Sequence, residues 1–312
     1  MKEIHLRSNL NYKIDTIYFG GGSPSLLDEE QLSMIMSAIY KYFNIENNAE
    51  ITIEANPEDV TYKKLNYIKK IGVNRLSIGI QSFVKKDLVC LKRNHNVKQS
   101  IQAVENALNA GFSNINLDFI IGLPVQTQKT LEHNFLKLKD FEIPHVSAYI
   151  LEEVKKKKYS EDRDNELYFF TKDYLESIGY THYEVSNFSK KGFQSKHNLK
   201  YWKDKNYIGI GLSASSYENR IDYKNFSNFN NYFNKIENKK IPYKESQTIE
   251  HDKRRIITGL RMIDGISIKN FKNYKNALNF LISNNLLVEK KSKVTVNPDK
   301  ILVLNEILTF FL

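Results

Sequence analysis

The sequence predicts an α/β protein built on a parallel sheet, and two observations predict it. Short β-rich runs recur at Ile14–Phe19, Glu50–Glu54, Arg75–Ile80, Asn114–Ile121 and His145–Leu151, about 33 residues apart on average. That period is the length of a strand plus a returning helix. The stretches between the runs carry apolar residues at helical spacing.

The elements follow in order. The first connector, Asp28–Phe43, places Leu32, Ile35, Met36, Ile39 and Phe43 on one face. In the second, Asp59–Thr61 caps a helix over Tyr62–Ile71 that Gly72 ends. The third holds a helix over Lys98–Ala110, with Ile101, Val104 and Leu108 facing one way and Gly111 as its stop. After about residue 155 the texture changes. Glu166–Ile178 reads as a helix stopped by Gly179, then Thr181–Val185 and Tyr207–Leu212 read as strands. The polar stretch Glu218–Lys244 reads as loops and short elements. A helix over Ile256–Met262, the segment Ile266–Phe271 and a hairpin in VEKKSKVTV complete a small helical, winged module. The expected division is 1–155 for the βα units, 156–245 for an extension and connecting elements, and 246–312 for the terminal module. Five βα units fit either an incomplete barrel or an open doubly wound sheet. Both place ligands at the C-terminal ends of the strands.

Composition excludes several classes. No run of 18 apolar residues exists, and MKEIHLRSNLNYK at the N-terminus has no apolar core, so neither a membrane span nor a secretory signal is read and the cytoplasm is expected. Net charge is +10, but lysine is spread along the chain beside asparagine and isoleucine, which reads as compositional bias rather than a nucleic-acid surface. The dense run Lys155–Lys158 reads as a solvated loop; with Lys290–Lys293 it could offer at most a peripheral membrane contact. One cysteine, Cys90, can make neither an intrachain disulfide nor a cysteine-ligated cluster. It falls on a connector helix and reads as a small buried residue.

The strand ends carry polar chemistry. Gly20-Gly21-Gly22-Ser23 follows the first run, and glycines there let the backbone approach a ligand and hold an anion on free N–H groups. The spacing is neither GxGxxG nor a Walker loop. Glu54 ends the second run, Gln81 the third, and Asp118 lies in the fourth, with Arg93 and His95 in the third connector. Carboxylate, amide and guanidinium groups together suit a zwitterionic ligand that also carries hydroxyls.

The segments YFGGGSPSLL (Tyr18–Leu27), EANPEDV (Glu54–Val60), GVNRLSIGIQSF (Gly72–Phe83), NLDFIIGLP (Asn116–Pro124) and YEVSNFSKKGFQSKHNLKYW (Tyr183–Trp202) resemble the radical S-adenosylmethionine (SAM) family. The subgroup is that of oxygen-independent coproporphyrinogen III oxidase and its haem-chaperone, HemW-like relatives. The resemblance runs from about residue 13 to the C-terminus. It implies a partial (β/α)6 barrel missing its first βα unit, followed by a smaller α+β C-terminal domain. It also implies that Gly21, Gly22, Ser23, Glu54, Gln81, Arg93 and Asp118 contact S-adenosylmethionine.

HNLKYW (His197–Trp202) and YIGIGLSASSY (Tyr207–Tyr217) match blocks of the chaperone-like branch, so haem binding and delivery to haem-dependent proteins, respiratory ones among them, is the implied function. Coproporphyrinogen III oxidation, or an inactive truncated paralogue, is the alternative. The family's first strand carries CxxxCxxC, whose thiolates hold the [4Fe–4S] cluster that cleaves S-adenosylmethionine to a deoxyadenosyl radical. This chain lacks that motif, so no catalytic and no metal-ligating residue is assigned. A coding sequence that continues upstream of Met1 fits, and so does a relative that kept the pocket and lost the redox centre; retention of the pocket residues favours the first. Relatives usually carry histidine where this chain has Ser215, which leaves His95, His182 and His197.

Overall fold

A computed structural model describes residues 1–8, 12–151 and 161–312. The run Lys155–Lys158 lies outside them. The chain opens with α1 (Lys2–Leu6), β1 (Lys13–Phe19) and α2 (Glu29–Tyr42). Asp28 and Gln31 exchange side-chain bonds to each other's backbone N–H at the start of α2, a reciprocal cap. The alternation continues with β2 (Asn44–Ala55), α3 (Tyr62–Lys70), β3 (Arg75–Gln81), α4 (Lys85–Cys90), α5 (Val97–Asn109), β4 (Ile115–Ile121), α6 (Gln128–Asp140), β5 (His145–Ile150) and α7 (Glu161–Ser177). Thr61 caps α3 through Lys64 N–H, and Asn96 with Gln99 forms a capping box on α5. Gly72, Gly111 and Gly179 follow the ends of α3, α5 and α7 with φ of 107°, 78° and 85°, so the left-handed stop is taken each time by the residue that tolerates it.

The strands form one seven-stranded sheet in the order β1-β2-β3-β4-β5-β7-β6, where β6 is Thr181–Glu184 and β7 is Asn187–Ser189. Pairing is parallel from β2 to β5 and antiparallel at β5–β7 and β7–β6. The five expected strands are all present. β7 was not read from the sequence, because three residues, NFS, are too short to show a period. Among the described residues β1 pairs only with β2, which makes it an edge.

The remaining chain forms α8 (Lys196–Trp202), β8 (Ser215–Glu218), β9 (Ile221–Asn225), α9 (Phe229–Glu237), β10 (Tyr243–Thr248), α10 (His251–Gly259), β11 (Ile266–Ser267), α11 (Lys275–Ser283), β12 (Leu287–Lys290), β13 (Lys293–Val296) and α12 (Leu304–Thr309). Strands β10-β9-β8 make an antiparallel sheet, of which β9, together with α9, falls among the loops and short elements expected over Glu218–Lys244. β11-β13-β12 makes the second small sheet and contains the expected hairpin. Tyr207–Leu212 is not a strand. Only Tyr207 bridges, to Tyr217; Gly209 N–H donates to Ser216 Oγ at 2.9 Å and Gly211 N–H to Glu3 Oε2 at 2.8 Å. Side chains occupy the donors a ladder would need.

The chain falls into two compact units. One comprises Thr16–Ser33 and Asn48–Gln194, the other Met1–Asp15, Met34–Asn47 and Ser195–Leu312. In the second, α1 is anchored by buried polar contacts. Glu3 receives Arg7 Nε at 3.3 Å, Asn225 Nδ2 at 2.8 Å and the Tyr232 hydroxyl at 2.6 Å, and Arg7 lies 3.5 Å from Glu218. Farther along, Arg254 holds Asp222 with two 2.8 Å bonds and Asp204 with one of 2.9 Å. Each buried charge in these two clusters is paired, as burial demands.

In the first unit the core lies between the sheet's outward face and its helices. Leu76, Ile78, Ile80, Ile115, Leu117 and Val146 have no exposed surface. Phe119 of β4 meets Phe135 of α6 edge-on at 5.9 Å, and Phe135 meets Tyr174 of α7 at 5.7 Å. Among the described residues no helix is long and apolar enough to cross a membrane.

Candidate functional site

The alternation of the strands turns every second residue inward, and inward the residues are polar apart from Gly79 and Ile120. On β2 these are Glu50, Thr52 and Glu54; on β3, Arg75, Ser77, Gly79 and Gln81; on β4, Asn116 and Asp118; on β5, His145, Ser147 and Tyr149. At the C-terminal ends of these strands lies a cavity of about 270 Å³, lined by Tyr18, Gly22, Ser23, Glu54, Asn56 and Asp118 together with Ser77, Gln81 and Tyr149. It sits wholly within the unit that holds the sheet.

The loop after β1 wraps the Glu54 carboxylate. Tyr18 donates to Glu54 Oε1 at 2.8 Å and Gly21 N–H donates to Oε2 at 3.0 Å. Burial, and then the Glu54 charge, push the Tyr18 phenol far above its ordinary value, so it remains a donor. Gly20 is glycine because a Cβ there would come within 2.6 Å of the Tyr18 ring, whereas Gly21 and Gly22 have open space and φ of 75° and 63°. Their constraint is conformational, not steric. Asn56 Nδ2 donates to Ser23 Oγ at 3.4 Å, and Ser25 donates to Asp59 at 2.7 Å, which fixes the loop's far side.

Gln81 ends β3 with φ of 64°, a left-handed conformation uncommon outside glycine. Its Oε1 is buried without a partner. Gly79 leaves room for it: a Cβ there would stand 3.0 Å from Gln81 Nε2 and 3.7 Å from Arg93 Nη2. Arg93 donates to Asn56 Oδ1 at 2.9 Å, and its Nε is also buried and unpartnered. Asp118 accepts from Asn116 at 2.8 Å and from Ser77 at 3.1 Å. Burial raises its carboxyl above the usual range, and its hydrogen bonds to Ser147, Asn116 and Ser77 draw it back.

Of the residues singled out in the sequence, Gly22, Ser23, Glu54, Gln81 and Asp118 line the cavity. Gly21 reaches it through the Glu54 carboxylate, and Arg93 stands behind Asn56 and Gly79 rather than on the wall. Tyr18, Asn56, Ser77 and Tyr149 were missed. The period of two could have found Ser77 and Tyr149, which share faces with Gln81 and Ser147. His95 and His182 are packed side chains: His95 lies between Ile80 O at 3.1 Å and Glu58 at 3.2 Å, and His182 stacks on Phe188 at 4.4 Å. His197 lies in the other unit, with its Nε2 2.8 Å from the Tyr201 hydroxyl. Cys90 is exposed, not buried. The short α4 turns Asp87 and Leu88 inward, which leaves Val89 and Cys90 on the outer side.

The site's donor set fits S-adenosylmethionine. An amino acid end needs a fixed carboxylate and free backbone N–H groups, and a sugar needs acceptors such as Asp118 and the unsatisfied Gln81 oxygen. The residues present do not fit a [4Fe–4S] cluster. The sequence has one cysteine, outside the cavity wall, and no group of three or more metal-ligating side chains occurs among the described residues.

The profile of the Radical SAM superfamily matches residues 2–138. The heme chaperone HemW of Lactococcus lactis is 34% identical over 90% of this chain and 80% of its own length. That of Bacillus subtilis is 32% identical over 96% and 86%. Among solved structures, the coproporphyrinogen III oxidase HemN of Escherichia coli, a radical SAM enzyme, superposes with a TM-score of 0.85 over 99% of this chain and 81% of that one, at 20% identity. That likeness establishes the curled half-barrel fold and its appended small sheets. With a third of its residues identical to those of HemW proteins across most of both chains, the chain belongs to the HemW family of the radical SAM superfamily.

Proposed function

We propose that the chain is a haem chaperone: it binds haem and passes it to haem-dependent proteins, respiratory ones among them, in the cytoplasm. Its half-barrel pocket holds S-adenosylmethionine, with Gly21, Gly22 and Ser23 against the methionyl end and Glu54, Gln81, Arg93 and Asp118 as the other contacts. Family membership carries the chaperone reading. The pocket reading rests on the Glu54 carboxylate clasped by Tyr18 and Gly21 beside the unsatisfied Gln81 oxygen.

When bound, S-adenosylmethionine would supply the sulfonium whose cleavage gives radical chemistry. The residues of this chain would bind and orient it. Tyr18 and Gly21 hold Glu54 rigid, Asn56 joins Arg93 to the Ser23 loop, and Asp118 presents an acceptor at the cavity floor.

Titration of the chain with haem tests the chaperone reading: a shifted Soret band at one haem per chain is expected, and free-haem absorbance throughout would overturn it. Calorimetric titration with S-adenosylmethionine tests the pocket, and no heat at millimolar ligand would remove that part of the reading.

A further inference from the structure

Three inward residues lie side by side across neighbouring strands. The register pairs Ser77 with Asn116 and Asn116 with His145, and in the next row it pairs Asp118 with Ser147. His145 and Asn116 are fully or almost fully buried, and every polar atom of the two is engaged. His145 Nε2 lies 2.8 Å from the Tyr183 hydroxyl and Nδ1 lies 2.6 Å from Asn116 Oδ1. Asn116 Nδ2 donates to Asp118 Oδ1 at 2.8 Å and to Ser77 Oγ at 2.7 Å, and Ser77 donates to Asp118 Oδ2 at 3.1 Å.

The polarity of this chain of bonds follows from its end. Asn116 donates to one oxygen of Asp118 and Ser77 to the other, which leaves the carboxylate further lone pairs for a ligand. The Asn116 amide nitrogen must therefore face Asp118, which turns its oxygen to His145. An oxygen there requires the proton on Nδ1, and Nε2 is left to accept from Tyr183. Burial, and then the nearby Arg75 charge, hold His145 well below its ordinary value, so it stays neutral with a single tautomer. Donation thus runs one way, from Tyr183 through His145 and Asn116 to Asp118. An amide carries no proton along such a path, so the network orients rather than relays. The Ser147 hydroxyl also donates to Asn116 Oδ1, at 3.1 Å, so an Asn116 freed from His145 keeps only the longer of its two holds and could turn its oxygen toward Asp118 and repel it.

We propose that His145 is a positioning residue for the ligand pocket: through Asn116 it locks the Asp118 carboxylate in the orientation that accepts the hydroxyls of the ligand's ribose. The proposal rests on the reading of this pocket as the S-adenosylmethionine site. It predicts an effect specific to those hydroxyls, which a merely structural histidine would not produce.

The test is calorimetric titration of the full chain and its His145→Phe and Tyr183→Phe variants with S-adenosylmethionine and with its 2′,3′-dideoxy analogue. His145→Phe is expected to weaken S-adenosylmethionine about tenfold, the loss of one charge-assisted contact. It should leave the dideoxy analogue within about twofold of its wild-type affinity. Tyr183→Phe should act in the same direction, about threefold. Equal weakening of both ligands, or no weakening of either, overturns the positioning role. A wild-type chain that binds neither ligand removes the cofactor reading itself, and this inference with it. Should His145→Phe not fold, Tyr183→Phe and the ¹⁵N spectrum of the wild-type histidines decide: a His145 resonance of the Nδ1–H tautomer supports the proposal, and the Nε2–H tautomer overturns it.

Discussion

The two faces of the seven-stranded sheet are made of opposite materials. Outward, β3 and β4 present Leu76, Ile78, Ile80, Ile115, Leu117 and Phe119, all at most 1% exposed. Inward, the same strands present Arg75, Ser77, Gln81, Asn116 and Asp118. A parallel sheet covered on both faces reads as continuous apolar runs. Here apolar and polar residues alternate except at Ile120 and at the irregular pairing between Ile78 and Gln81, which leaves the inward face largely polar. The outward face supplies the stability, and the inward face supplies the ligand groups at the cost of several buried, unpaired polar atoms, among them Thr52 Oγ1, Arg75 Nε and Ser189 Oγ.

Substitutions on the two faces should therefore fail in different ways. The largest effect belongs outside. Leu117→Ala removes a fully buried side chain and should cost about 3 kcal/mol of unfolding free energy in urea. The ligand affinity of the folded fraction should be unchanged, and a variant that lost affinity without stability would break the contrast.

Acidification acts next. Burial lowers His182, stacked on Phe188, to about 4. The native imidazole stays neutral while the unfolded chain takes up a proton below about 6.5, so the native state binds fewer protons in that window. The stability tied to His182 is fully present above pH 6.5 and is lost as pH falls toward 4, on the order of 3 kcal/mol in all. Urea midpoints of wild type and His182→Phe across this range check it; the variant should show the shallower slope.

The inward face gives the third effect. Glu54→Gln keeps the shape but places an amide where Tyr18 and Gly21 both donate. It should weaken S-adenosylmethionine by about thirtyfold. Stability should move by less than about 1 kcal/mol, because Glu54 is only partly buried at the rim. Equal losses in both quantities would erase the distinction between the faces. The smallest effect is that of Gly21→Ala, where φ of 75° and open space leave only backbone strain. It should cost about 1 kcal/mol, read as a small drop in thermal midpoint.

Much of this was legible beforehand. The five strands, the helices of the first three connectors, the cap at Thr61 and the glycine stops are written in local patterns and appear where those patterns place them. So were five cavity-lining residues. Reading failed where a segment's fate depended on remote partners. YIGIGL has the composition of a strand, but Glu3 and the Ser216 side chain take its donors. Cys90 resembles a core residue, yet the two turns of α4 put it outside.

The sequence by itself determined which faces exist. A period of two on the strands and of 3.6 on the helices sorts side chains without reference to anything distant. The family motifs are contiguous, so they too could be read from the chain alone. Only the tertiary structure decided which inward groups meet. Asn116 lies 29 residues from His145 and 39 from Ser77, and only strand register makes them neighbours. A hydrogen bond is directional and short-ranged, so its partners are set by register to within one residue, while hydrophobic burial asks only for the correct face.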